Sequence, residues 1–162
     1  MSESFAIKEG DALIVVDVLN SLLSGDAAVP AGEEVISPLM RVVDTFHSHR
    51  LPIYATGITG IECASMLGLP AFAMMISRAP AQTDISSFAG TNLEFQLMMY
   101  GVKRLFIGGL GESVAATARD AIRRGHEVVM LHDAVRVHPA DEPALADLME
   151  LGAVRVSAAD VA

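Results

Sequence analysis

At 162 residues the chain suits one domain, and with 52 % apolar side chains and a mean hydropathy of +0.44 it is more apolar than a typical soluble domain. Its net charge of −9 opposes a phosphate backbone, and Lys103–Arg104 and Arg123–Arg124 are isolated basic pairs, so nucleic acid is excluded as a partner. No apolar run approaches the ~18 residues of a membrane span, and the single Cys63 permits neither an internal disulfide nor a cysteine-built zinc site.

Met1 to Gly10 carries Glu3, Lys8 and Glu9 and lacks a signal-peptide core, so the chain reads as a cytoplasmic protein. Ala12–Val18 reads as a strand buried on both faces, followed by a Gly25–Gly32 loop. From Glu33 to Arg50, Val35, Ile36, Leu39, Val42, Val43 and Phe46 fall near one stripe, which predicts a helix. Pro52–Thr56 is a short strand, Ile58–Leu69 a short helix or an irregular crossover, and Phe72–Ser77 the next strand. Arg78–Gly90 is a polar loop. Thr91 with Glu94 three residues on suggests a capping box for a Thr91–Tyr100 helix, closed by Gly101. Strand Arg104–Gly108, helix Ser113–Arg124 closed by Gly125, and strand Glu127–Leu131 follow. Helix Asp141–Leu151, closed by Gly152, and strand Val154–Val156 end the pattern.

Short β-rich runs alternating with helical periods predict an α/β fold: a three-layer α/β/α sandwich on a six-stranded parallel sheet of Rossmann-like topology, with the first strand central. Residues 1–162 are expected to form a single domain. In such sheets ligands bind at the carboxyl ends of the strands. That rule selects Asp17–Asn20, Thr56–Gly60, Ser77–Arg78, Gly108–Ser113 and His132–Arg136 as the rim.

Several stretches, read in order, resemble the isochorismatase/nicotinamidase-like hydrolases. Asp11 to Val35 resembles that family's opening strand, with Asp17 and Asn20 on its Asp-x-x-Asn pattern. Ser86 to Gly101 resembles the segment in which Ser-x-Phe precedes a Gly-Thr-x-Leu helix start. Val102 to Val135 resembles the strand, nucleophile turn, helix and strand of the catalytic half, and Ala144 to Val161 the closing helix and strand. The resemblance implies cysteine hydrolase chemistry. An Asp, a Lys and a Cys at a helix start form and use a thiolate against an amide-type carbonyl, and many nicotinamidases add a metal held by an Asp and two His.

Residue by residue, Asp17 matches the Asp, Arg78 falls near the Lys, and Ser113 falls on the Cys. These are the candidate catalytic residues. Asn20, Phe88, Gly111 and Glu112 are the candidate substrate contacts. No Asp-x-His pattern follows Thr56, so neither a metal nor any other cofactor is expected. The Leu110–Ser113 turn is about two residues shorter than the resemblance implies, which predicts a narrowed or closed pocket.

Each residue also has a plainer role. Asp17 reads equally as a strand-end carboxylate bonded to backbone N–H groups. Ser113 reads as a helix N-cap, since serine is among the best capping residues. A serine hydroxyl is far less acidic than a thiol and normally needs a histidine base; His132 is the one histidine on the rim. Arg78 reads as a surface loop residue, and guanidinium is no proton carrier. Cys63 reads as a buried structural thiol. His47 and His49, two apart on a helix, point to different faces. Glu112 argues against a phosphate site at Gly108, Gly109 and Gly111.

Two functions follow. One is a hydrolase of small amides, imides or similar C–N or ether substrates, running on Asp17, Arg78 and Ser113. The alternative is a catalytically degenerate member, a pseudoenzyme that binds a small ligand or a partner. The apolar excess implies either a sheet covered on both faces or apolar surface buried against another subunit, and Met74–Met75 and Met98–Met99 suit adaptable packing of either kind. Together with the resemblance, whose members commonly associate, it predicts a homo-oligomer.

Overall fold

The computed structural model describes residues 4–64 and 67–162. Strand β1 (Asp11–Val16) is buried along its whole length. Its Leu13 and Val15 face one core layer, and Ala12, Ile14 and Val16 face the other. A strand covered on both faces reads as a continuous apolar run, which is why this stretch has no polar alternation. A short helix α1 (Asn20–Leu23) and a 3-10 turn (Gly32–Val35) lead to α2 (Ile36–Ser48), which buries Leu39, Val42, Val43 and Phe46. Next come β2 (Ile53–Ile58), β3 (Met74–Arg78), α3 (Leu93–Met99), β4 (Arg104–Leu110) and α4 (Ser113–Arg123). Then β5 (Glu127–Arg136), a 3-10 turn (Pro139–Asp141), α5 (Glu142–Glu150) and β6 (Val154–Val156) complete the frame.

All strand pairs are parallel, in the six-stranded order β3-β2-β1-β4-β5-β6. Helix α2 packs on one face, and α3, α4 and α5 pack on the other. The α/β fold with a central first strand is as the sequence predicts. The chain fills one side of β1 with β2 and β3, then crosses to the other side with β4. The order therefore reverses between β1 and β4, and the crevice beyond their carboxyl ends is where a sheet of this kind accepts a ligand. Among the described residues, no helix is long and apolar enough to cross a membrane.

Two local readings need correction, and one open alternative is decided. The described residues of the Ile58–Leu69 segment form an irregular crossover, one of the two expected forms, tied to β1's exit loop by a Leu19–Cys63 bridge; Ser65 and Met66 lie outside the described residues. The capping box does not form, because Glu94 pairs with Arg124. The Thr91 hydroxyl accepts from the Leu93 N–H at 3.3 Å and donates to the Ser87 carbonyl at 2.6 Å. Strand β5 runs on past Leu131 to Arg136. Its register against β4 jumps from Ile107↔Met130 to Gly109↔Val135, so Leu131 to Ala134 bulge out and pairing then resumes.

The close approach of β4 to its neighbours depends on glycine. Gly108 has no room for a Cβ against Leu39 and the Ala134 carbonyl of the bulge. At Gly109, φ is +145°, and a Cβ would collide with the Val16 backbone. Gly109→Ala should therefore cost at least ~3 kcal/mol. Urea unfolding at equilibrium would measure this, and a wild-type midpoint would contradict the close β1–β4 contact.

Candidate active site

The end of β1 delivers a charge into the crevice. Asp17 adopts φ +50°, an uncommon left-handed conformation for a non-glycine residue. Its N–H donates to the Thr56 carbonyl of β2 at 3.1 Å, and its carbonyl accepts from the Leu19 N–H at 2.9 Å. The carboxylate is only 3 % exposed. It accepts from Arg78 through both oxygens, from Nη1 at 3.1 Å and from Nη2 at 2.8 Å. Arg78 ends the edge strand β3 and is itself 5 % exposed. It is a buried partner of Asp17, not the surface loop residue that its polar neighbours suggest. No backbone N–H donates to the Asp17 carboxylate among the described residues, so the strand-end reading of that group also fails.

Ser113 begins α4, immediately past the tight turn at Gly111, where φ is +83°. It does not cap the helix: Glu112 holds the N-cap position, and no side chain caps the helix start. Instead the Ser113 hydroxyl donates to Asp17 Oδ2 at 2.7 Å. Asp17, Arg78 and Ser113 thus form one buried, hydrogen-bonded group drawn from β1, β3 and α4.

A second set of hydroxyls braces this group from behind. Ser87 donates to Thr56 Oγ1 at 2.8 Å, and Thr117 donates to Ser87 Oγ at 2.9 Å. The Ser87 N–H donates to Thr117 Oγ1 at 2.9 Å. Thr117 lies one helical turn after Ser113, so α4 is held at both positions. Of these three residues the sequence reading singled out only Thr56, as part of the Thr56–Gly60 rim; Ser87 lay in a stretch read as a polar loop and Thr117 inside a helix, where a hydroxyl carries no distinct signal.

The pocket is open. A cavity of about 380 Å³ lies over the three groups. Gly111, Glu112, His138 and Asp141 stand on its wall, with Leu19, Leu22, Ile58 and Ile85 as apolar lining. The short Leu110–Ser113 turn therefore does not close it. Of the four candidate substrate contacts, Gly111 and Glu112 line this cavity. Asn20 is exposed at the start of α1 and lies off the wall. Phe88 is buried in the core beneath Arg124, whose guanidinium carbon lies 4.5 Å from the ring centroid.

His138 and Asp141 escaped the sequence reading, which ended β5 too early. The rim rule then selected His132, which lines a different cavity beside α5. The bulge carries the strand's true end to Arg136, and that end presents His138. Cys63 is half-buried rather than fully enclosed. Burial pushes its thiol up, and the Asp17 carboxylate pushes it in the same direction, so Cys63 is held as a thiol rather than a nucleophilic thiolate.

A family model described as the isochorismatase domain matches residues 11–160. The chain is 34 % identical over 149 residues to a streptothricin hydrolase of Streptomyces noursei, covering 86 % of this chain and 53 % of that protein. A second streptothricin hydrolase of that organism is 35 % identical over 139 residues, covering 80 % of this chain and 55 % of the relative. The chain therefore spans about half the length of the curated relatives it matches. Among solved structures, a pyrazinamidase of Pyrococcus horikoshii in complex with zinc aligns with a TM-score of 0.84 at 31 % identity, covering 91 % of this chain and 99 % of that one. An N-carbamoylsarcosine amidase from Thermoplasma acidophilum aligns with a TM-score of 0.79 at 23 % identity, covering 91 % and 96 %, a likeness of fold.

The zinc of the pyrazinamidase raises the question of a metal here. Between β2 and β3 this chain offers Glu62 and Cys63 but no histidine, and no three His, Cys, Asp or Glu side chains converge among the described residues. A catalytic zinc needs about three such ligands, so the donor set does not fit one.

Breaking the buried pair should be costly. Asp17→Asn leaves the Arg78 guanidinium without a counter-charge and should destabilise by about 3–5 kcal/mol. The double change Asp17→Leu/Arg78→Met removes both charges and should cost less than either single change. Urea titration of Asp17→Asn, Asp17→Leu, Arg78→Met and the double variant would check both expectations, and additive losses would show that the pair is not coupled.

Proposed function

The chain belongs to the isochorismatase family, a family of hydrolases, and we propose that it hydrolyses a small amide-type substrate with the Ser113 hydroxyl as nucleophile. The observation that carries this reading is the 2.7 Å hydrogen bond from Ser113 to Asp17 beneath an open cavity. The hydroxyl is spent neither on the helix nor on the core. It faces a carboxylate able to take its proton, within reach of a bound carbonyl.

The steps balance on these residues alone. Ser113 Oγ bonds to the carbonyl carbon as its proton passes to Asp17. The developing oxyanion meets the start of α4, where the N–H groups of Glu112 and Ser113 have no protein acceptor among the described residues. The C–N bond then breaks, and Asp17 returns the proton to the leaving nitrogen. Water attacks the resulting ester and gives one proton to Asp17, which passes it to Ser113 Oγ as the C–O bond breaks and the acid is released. Arg78 holds the carboxylate in place throughout and carries no proton.

A second reading, ligand binding without turnover, draws on one observation: Arg78 occupies both oxygens of the carboxylate that must accept the proton. Self-association and a cytoplasmic setting also belong to this proposal. Phe95, Met98, Met99 and Tyr100 are all more than half exposed on or beside α3, in keeping with a second copy covering them.

Ammonia release from a panel of small primary amides should be measurable with the wild type and should fall by on the order of 10³-fold or more in Ser113→Ala. Tight binding of an amide with no release would establish the second reading instead. Ser113→Cys with Arg78→Lys, which restores a thiol and an amine able to carry a proton, should outpace the wild type. Light scattering at micromolar concentration should give a dimer or larger, with an interface of roughly 1,200 Å² or more.

A further inference from the structure

The cavity wall carries charge that the reaction does not use. Glu112 and Asp141 both line it. Each holds an N-cap position, Glu112 for α4 and Asp141 for α5, yet neither side chain accepts a hydrogen bond from its helix. A carboxylate in that position ordinarily accepts from the N–H two or three residues on. Nor does either one pair with a cation among the described residues, where the ion pairs use Asp11, Asp17, Glu34, Glu94 and Asp120. Arg78 is the lone arginine or lysine on the wall, and it is committed to Asp17. Those two charges cancel, leaving Glu112 and Asp141 as unbalanced negative charge around an apolar lining of Leu19, Leu22, Ile58 and Ile85.

We infer that this site selects substrates bearing a cationic group, such as an ammonium, on the same small molecule as the amide-type carbonyl. The carbonyl sits at Ser113 and the cation between Glu112 and Asp141. The carbonyl's placement rests on the hydrolase reading above. An uncharged amide leaves both carboxylates unused, and an anionic one meets like charge at the mouth. The two carboxylates also complement their helix dipoles, but that role predicts a loss of stability on substitution and no change in ligand preference.

The test uses Ser113→Ala, which retains the cavity without the nucleophile, and three probes on one skeleton: benzamide, para-aminomethylbenzamide and para-carboxybenzamide. Calorimetry at about pH 8, above the usual histidine range, should give about tenfold tighter binding of the ammonium amide than of benzamide, with the carboxylate weakest. The preference should shrink with added salt and fall to within about twofold in Glu112→Gln/Asp141→Asn. Should that double variant not fold, Glu112→Gln alone, at an exposed position, should lower the preference by about threefold. Equal affinity for the three probes, or a preference that survives the substitutions, would overturn the inference. Wild-type turnover of benzamide as fast as that of the ammonium amide would overturn selection while keeping the hydrolase reading. Charge-selective binding without any wild-type turnover would do the reverse, and no binding of any probe would overturn both.

Discussion

A carboxylate as deeply buried as Asp17 loses most of its hydration, and an unpaired charge in that position would cost several kcal/mol. The carboxyl end of the sheet is arranged around meeting that cost. Arg78 supplies the counter-charge in bidentate geometry, and Ser113 supplies a further donor to Oδ2. The three residues lie on the centre strand, the edge strand and a helix, so one electrostatic requirement ties together elements far apart in the chain. Arg78 also fixes the end of β3, which has a sheet partner on one side only.

Geometry behind the ion pair turns this tie into a defined site. Helix α4 can bring Ser113 to Asp17 because β4 lies tightly against β1, and that contact exists because Gly109 has no side chain to hit the Val16 backbone. Ala115, Ala118 and Ala121 keep the buried face of α4 thin. Thr117 then links the helix to Ser87, and Ser87 links to Thr56 on β2. The polar segment between β3 and α3 is thereby anchored by buried hydroxyls rather than by regular structure. In the proposed reaction a hydroxyl held in this way would lose little entropy when substrate arrives, which is the main advantage a rigid scaffold can offer chemistry.

The sheet was legible because burial on both faces leaves a direct mark: Ala12 to Val16 contains no polar residue, and α2 shows its stripe from Leu39 to Phe46. Asp17 and Ser113 were legible as positions through the order of motifs. Their environment was not. Nothing local to Arg78 reveals that its partner lies 61 residues earlier, and its neighbours in sequence suggest an exposed loop. Serine at a helix start invites a capping role, and only the tertiary position of Asp17 turns the hydroxyl elsewhere. The extra length of β5 was hidden for a related reason. A bulge preserves no simple alternation, so the strand read as ending at Leu131, and His138 and Asp141 fell outside the expected His132–Arg136 rim.

The charges also constrain what chemistry the site can support. The resemblance implies an amine that can gain or lose a proton beside a thiol that readily ionises. Here the corresponding positions hold a guanidinium, which keeps its proton, and a hydroxyl, which does not ionise in the resting state. Arg78 therefore stands as a fixed counter-charge to Asp17, and the resting site contains no anionic nucleophile. On the proposed mechanism, negative charge on the reacting atoms would appear only as the carbonyl is attacked, when the free N–H groups at the start of α4 would first meet a full acceptor. Stabilisation confined to that moment lowers the barrier without tightening the ground state. Glu112, at the same helix start, works against it by opposing any anion nearby. A cation carried on the substrate would offset that repulsion, so the acidic wall that hinders a neutral substrate would favour a cationic one.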